Sequence, residues 1–97
     1  MDPEAAGAED AGVSVELPPA LVRLFPGSPA RVQLRAASVA EILAALDARW
    51  PGMRDRLCDS SPRIRRNIDV FVDGRRATLE TPVATGARVR IVTAMIG

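Results

Sequence analysis

The stretch from Ser38 to Gly52 holds one complete amphipathic helix with both of its ends written in the sequence. Ser38 stands three positions before Glu41, the Ser-x-x-Glu spacing of a capping box. In that arrangement a hydroxyl and a carboxylate satisfy amide donors that the first helical turn leaves free. Val39, Ile42, Leu43, Leu46 and Trp50 recur at steps of three and four, so they form one apolar stripe, with Asp47 and Arg49 off it. Pro51-Gly52 ends the run with a helix breaker and a residue that accepts a left-handed backbone. After it, Met53-Arg54-Asp55-Arg56-Leu57-Cys58 allows one helical turn and Ser60-Ser61-Pro62 a loop, but no second full helix follows. A single stripe cannot bury itself. The rest of the chain must supply a sheet for it to lie across.

That sheet is readable from alternation. Val13-Ser14-Val15-Glu16-Leu17 and Arg31-Val32-Gln33-Leu34-Arg35 alternate apolar and polar residues, the pattern of strands with one buried face. Pro18-Pro19 stops the first, because proline offers no ladder donor. Leu21, Val22, Leu24 and Phe25 follow as a short apolar run, and Pro26-Gly27-Ser28-Pro29 reads as a turn, so the two strands make an antiparallel hairpin with an irregular loop. Ile68-Asp69-Val70-Phe71-Val72 is a second β-prone segment, and Asp73-Gly74 is a tight-turn pair leading to a short return strand over residues 75–79. Thr85-Gly86 is another turn, after which residues 87–93 alternate into a final strand. Val13, Val15, Leu17, Val32, Leu34, Val70, Val89 and Ile91 can face the helix. Phe71 and Val92 have the opposite parity and point away from it. A ferredoxin-like layer would need a second helix, so the expected fold is α+β, a mixed four- to five-stranded sheet with one main helix packed across one face.

In 97 residues, this is one small domain. Residues 1–12 are acidic and rich in Ala and Gly, lack the positive start and apolar centre of a signal peptide, and read as a disordered acidic tail. The folded domain is expected over 13–93, with a flexible C-terminal tail over 94–97.

Composition narrows function by exclusion. There is no His, no Tyr, no Lys and one Cys. His-based triads, His-ligated metals, cysteine-pair redox or zinc sites, a P-loop lysine and a Schiff base are therefore all unavailable. A lone Cys58 cannot form an internal disulfide, which fits a reducing, cytoplasmic setting. Basic and acidic residues leave a net charge of +1, short of what a nucleic-acid binder carries. No window approaches the roughly 18 apolar residues that span a membrane. A chain so equipped is expected to be acted upon by another protein. Arg63, Arg65 and Arg66 read either as a solvated face or as a docking point for an acidic partner surface. Phe71 and Val92 are either a docking patch or local packing against Leu24 or Phe25. Trp50 reads as closing the core edge, with a binding aromatic as the other reading. Cys58 reads as a small buried apolar residue, with a thiol activated by Arg54 and Arg56 as the other reading. Asp73-Gly74 is a turn requirement.

The order of elements, two hairpins around one helix, resembles the ubiquitin-like β-grasp, and within it the ThiS/MoaD sulfur-carrier family. The residues that carry the resemblance are Ser38-Val39-Ala40-Glu41-Ile42-Leu43 with Trp50-Pro51-Gly52, Val70-Phe71-Val72-Asp73-Gly74, Thr81-Pro82-Val83 with Gly86, and Val89-Arg90-Ile91-Val92 running on to Gly97. The longer stretch between helix and third strand, with Arg63-Ile64-Arg65-Arg66-Asn67, is similar to the branch that includes the carrier used for cysteine synthesis.

The resemblance implies a carrier that is not itself an enzyme. A ubiquitin-activating-like partner adenylates the terminal Gly97 carboxylate with ATP. The acyl adenylate is then converted to a thiocarboxylate that donates sulfur to an accepting synthase in cysteine, thiamin or molybdopterin formation. This chain would bind no cofactor or metal, the ATP belonging to the partner, and neither nucleic acid nor membrane would be a partner. The residues Ala94, Met95 and Ile96 would be inserted with Gly97 into the partner's cleft. Four extended residues reach roughly 13–14 Å, and a carboxylate of pKa roughly 3.3–3.7 is ionised at neutral pH. Family members end Gly-Gly, whereas this chain has Ile96 before Gly97. A further Gly beyond Gly97, a partner that accepts Ile96, or a tail that is no longer activated are the three readings of that departure. The competing classes are a non-catalytic β-grasp binding module with an inert tail and a small subunit of molybdopterin synthase.

Overall fold

The structure is a computed structural model that describes residues 12–61 and 63–93. Its elements run β1 (Val13–Glu16), α1 (Pro19–Leu24), β2 (Arg31–Leu34), α2 (Val39–Arg49), α3 (Met53–Leu57), β3 (Ile68–Val72), β4 (Arg75–Arg76) and β5 (Arg88–Thr93). The five strands form one mixed sheet in the order β2-β1-β5-β3-β4. β1 pairs antiparallel with β2 and parallel with β5, and β5 pairs antiparallel with β3. The α+β expectation holds. All eight strand residues assigned to the helix-facing layer are buried, as are Val39, Ile42, Leu43 and Leu46 of α2. Trp50 is half-buried against the core edge. Each fully buried aliphatic side chain contributes about 1.5–3 kcal/mol, so the α2 stripe is what holds the helix to the sheet.

The helix N-terminus is capped more completely than a capping box alone provides. Ser38 Oγ accepts from the Glu41 N–H at 3.2 Å, as the spacing predicts. The Glu41 carboxylate reaches one residue further back than a standard box, accepting from the Ala37 N–H at 2.8 Å. The remaining first-turn donors, Val39 and Ala40 N–H, go to the carbonyls of Thr81 and Leu79, each at 3.0 Å, and Val83 N–H returns to Ala37 O at 2.9 Å. The segment through Thr81-Pro82-Val83 is therefore a strap over the start of α2, made of backbone bonds that no side-chain pattern announces.

Two local readings need correction. The apolar run after Pro18 is a short helix, α1, with Pro19 in its first turn. Proline there loses no intrahelical bond and its fixed φ suits a helix start, so the same residue that ended β1 began α1. The return strand is only two residues long rather than spanning 75–79. Ala77 N–H still bonds Val70 O at 2.8 Å, but Ala77 and Leu79 then turn inward and are buried as the chain enters the strap. The helical turn expected after Pro51 does form, as α3, with Met53 and Leu57 buried. Asp47 makes this possible: its Oδ1 accepts from the Gly52 N–H at 3.0 Å and the Arg54 N–H at 3.2 Å, bridging the break between α2 and α3.

Candidate functional site

β3 and β5 place the predicted docking residues. Cross-strand partners on one face run Arg31–Glu16–Arg90–Phe71–Arg76 across all five strands, with Asp69–Val92 as the adjoining pair on β3 and β5. This is the face opposite α2. Phe71 and Val92 are half-buried on it, diagonal neighbours as their parity predicts. Phe25 instead packs near Gly52, where a Cβ would meet its ring at 3.7 Å, and Leu24 is 53% exposed. The reading in which Phe71 and Val92 pack against Leu24 or Phe25 is therefore set aside. The face carries an aromatic ring bracketed by the cross-strand arginines Arg90 and Arg76. Among the described residues the one ion pair within 4.0 Å joins Arg76 to Asp69, at 3.6 Å, on this same face.

The second predicted group sits at one end of the sheet. Arg63, Arg65 and Arg66 are exposed, on a loop that leads directly into β3, whose first residue Ile68 pairs with Thr93, the last residue of β5. The loop is pinned rather than loose. Asp59 Oδ1 accepts from the Ser61 N–H at 2.9 Å, the Ser61 hydroxyl at 2.6 Å and the Arg63 N–H at 3.0 Å. Those bonds, the Ser61 hydroxyl first, hold the Asp59 carboxyl below the usual carboxylate range. Arg65 donates from its backbone N–H to Leu57 O at 2.8 Å and from Nε to Asp55 O at 2.8 Å. Cys58 and Ile64 form an isolated antiparallel bridge. The Cys58 side chain is buried, and burial pushes its thiol up despite the opposing charge of Arg54. It is a core residue and not an activated nucleophile.

Ala94, Met95, Ile96 and Gly97 lie outside the described residues, as does the acidic segment of residues 1–11. Gly12, grouped with that segment by composition, is itself buried, and its carbonyl accepts from the Gly86 N–H at 2.9 Å. Sequence reasoning did not single out Arg31, Arg76 and Arg90 as neighbours of Phe71. Parity places Arg90 on the outer face, but bringing Arg31 and Arg76 into the same row requires the register of three strand pairs.

A five-stranded mixed sheet in this order, closed over one main helix, defines a ubiquitin-like β-grasp protein. No family model and no curated relative matches the sequence. Solved structures do. A chain of the Amycolatopsis orientalis BexX/CysO complex is similar at 28% identity with a TM-score of 0.77, over 88% of this chain and 98% of that one. Mycobacterium tuberculosis CysO is similar at 25% identity and a TM-score of 0.75, over 86% of this chain and 99% of that one. At 22% identity, SAMP1 from Haloferax volcanii shares the fold with a TM-score of 0.75, over 89% of this chain and 98% of its own. The chain thus resembles the ThiS/MoaD sulfur carriers, and CysO among them. Among the described residues no helix is long and apolar enough to cross a membrane.

Proposed function

We propose that this protein is a cytoplasmic sulfur carrier whose reactive group is the Gly97 carboxylate. The observation that supports the reading best is the fit to two CysO chains at 25% identity or more over nearly their whole length. In the proposed cycle a carboxylate oxygen of Gly97 attacks the α-phosphorus of ATP held by a ubiquitin-activating-like enzyme, and pyrophosphate leaves. Hydrosulfide, or a persulfide acting with a thiol reductant, then attacks the acyl carbon. The acyl C–O bond breaks and AMP departs; hydrosulfide leaves a thiocarboxylate directly, whereas a persulfide leaves an acyl disulfide whose S–S bond the thiol then reduces to the thiocarboxylate. An accepting synthase takes the sulfur. ATP and any metal belong to the partners, and this chain supplies the handle: a rigid body with Phe71 and Val92 on its outer face and the tail residues Ala94, Met95 and Ile96 to be inserted.

Incubation with the activating enzyme, ATP and a sulfide source, followed by intact-mass measurement, tests the proposal. The expected product is heavier by the replacement of one oxygen with one sulfur, and a chain lacking Gly97 gains nothing. A carrier with its native terminus that stays unmodified while still binding the enzyme would instead be a β-grasp binding module.

A further inference from the structure

We infer that the arginine loop between α3 and β3 is a docking ridge for an acidic protein surface, set at the edge of the sheet from which the chain continues past Thr93. The inference deepens the carrier reading by naming the chemistry of the partner that receives the tail.

Position is the first argument. Ile68 and Thr93 are register partners, and Arg65 and Arg66 stand just before Ile68. Any surface that takes in residues 94–97, at most roughly 13–14 Å of chain, is brought up against this loop. Preorganisation is the second. The three Asp59 bonds, the Cys58–Ile64 bridge, the two Arg65 bonds and the Ile68 N–H bond to Arg65 O at 2.9 Å fix the backbone on which the guanidinium groups stand. Less conformational entropy is then lost on binding. Availability is the third. Among the described residues no carboxylate lies within 4.0 Å of the Arg63, Arg65 or Arg66 guanidinium; Arg65 spends its Nε on Asp55 O, and the forks of Arg63 and Arg66 are unspent. A protein surface is favoured over nucleic acid because the loop has no aromatic side chain for a base to stack on and carries the carboxylate of Asp59, with Asp55 of α3 and Asp69 of β3 flanking it.

Arg63 and Arg66 are the residues to change, since Arg65 is bound to Asp55 O and helps hold the loop. Isotope-labelled protein would be titrated with a short oligoglutamate peptide and, separately, with a short single-stranded RNA, and amide shifts followed. Peptide-induced shifts confined to residues 59–68 and Arg76 are expected, abolished by high salt and weakened roughly tenfold in Arg63→Glu/Arg66→Glu. Arg63→Gln/Arg66→Gln, which removes charge without reversing it, should fall between. An unchanged thermal midpoint confirms that both variants are folded. Shifts centred on Arg31, Arg88 and Arg90, no shifts at all, or tighter RNA binding at the loop would overturn the inference. In the activation assay the double reversal should raise KM for the carrier while leaving kcat unchanged. Failure of wild-type protein to gain sulfur would sink the carrier reading and leave the peptide result standing. A loop indifferent to charge in a carrier that is thiocarboxylated would do the reverse.

Discussion

Asp73 and Arg88 hold each other by two hydrogen bonds: the Arg88 N–H donates to Asp73 Oδ1 at 2.9 Å, and the Asp73 N–H donates to Arg88 O at 2.8 Å. The turn between β3 and β4 is thereby tied to the first residue of β5. Asp73 adopts φ +50° and Gly74 φ +87°, the pair of positive values that a two-residue hairpin turn requires. Asp73→Ala loses the side-chain bond and strains a left-handed position, at a cost of about 1–3 kcal/mol. Asp73→Asn keeps an acceptor and tolerates the backbone, costing less than about 1 kcal/mol. Urea denaturation of the two variants separates them.

Asp47 offers a second test, because one carboxylate oxygen serves two amides across the α2–α3 break. Asp47→Ala should destabilise by about 1–2 kcal/mol, in the range of a lost helix cap. Hydrogen exchange at the Gly52 and Arg54 amides should speed up before global unfolding does.

Ile91 and Val92 are chain neighbours on opposite faces, Ile91 in the core and Val92 on the outer face with Phe71. Ile91→Ala is expected to cost about 2–5 kcal/mol. Val92→Ala and Phe71→Ala should each cost less than about 1.5 kcal/mol while weakening capture by the proposed activating enzyme. A loss of binding from Ile91→Ala alone, with the outer-face variants unaffected, would remove the docking role from that face.

The two shifted groups give stability a pH dependence of opposite sign. The Cys58 thiol is raised by burial, so its contribution is complete below the usual thiol range and disappears as pH climbs through the higher folded value. Cys58→Ala should remove that alkaline loss, and alkylation of the native thiol at neutral pH should be far slower than in the unfolded chain. Asp59 is lowered by the bonds from Ser61 and Arg63, so its contribution is present above the usual carboxyl range and disappears as pH falls through the lower folded value. Asp59→Asn should flatten this acid limb, read from exchange at the Arg63 amide below about pH 4.

These variants also mark where local patterning ended. The α2 stripe, its serine cap and the helix-facing strand residues were legible because each depends on spacing along the chain. What was not legible depends on groups far apart in sequence. The strap carbonyls of Leu79 and Thr81 cap α2, but backbone acceptors carry no residue identity. From the sequence Asp47 is no more than a residue off the stripe, because nothing in its own helix requires an acceptor for the next one. α1 was hidden by prolines that fit both the end of a strand and the start of a helix. Likewise, parity places Arg90 on the outer face, but its alignment with Phe71 is set by the antiparallel register of β3 with β5, and that with Glu16, and through it Arg31, by the parallel pairing of β1 with β5, far apart in sequence.

That pairing has a consequence for how the molecule is made. Of the five described strands β5 is synthesised last, and yet it lies in the middle of the sheet, between β1 and β3. A nascent chain still short of Arg88 would hold two separate hairpins with a gap where the centre strand belongs, and contacts so distant in sequence form slowly. The ribosome must therefore release everything through Thr93 before the sheet can close, so a fragment terminated ahead of β5 would lack the assembled shape by which any recipient could recognise it.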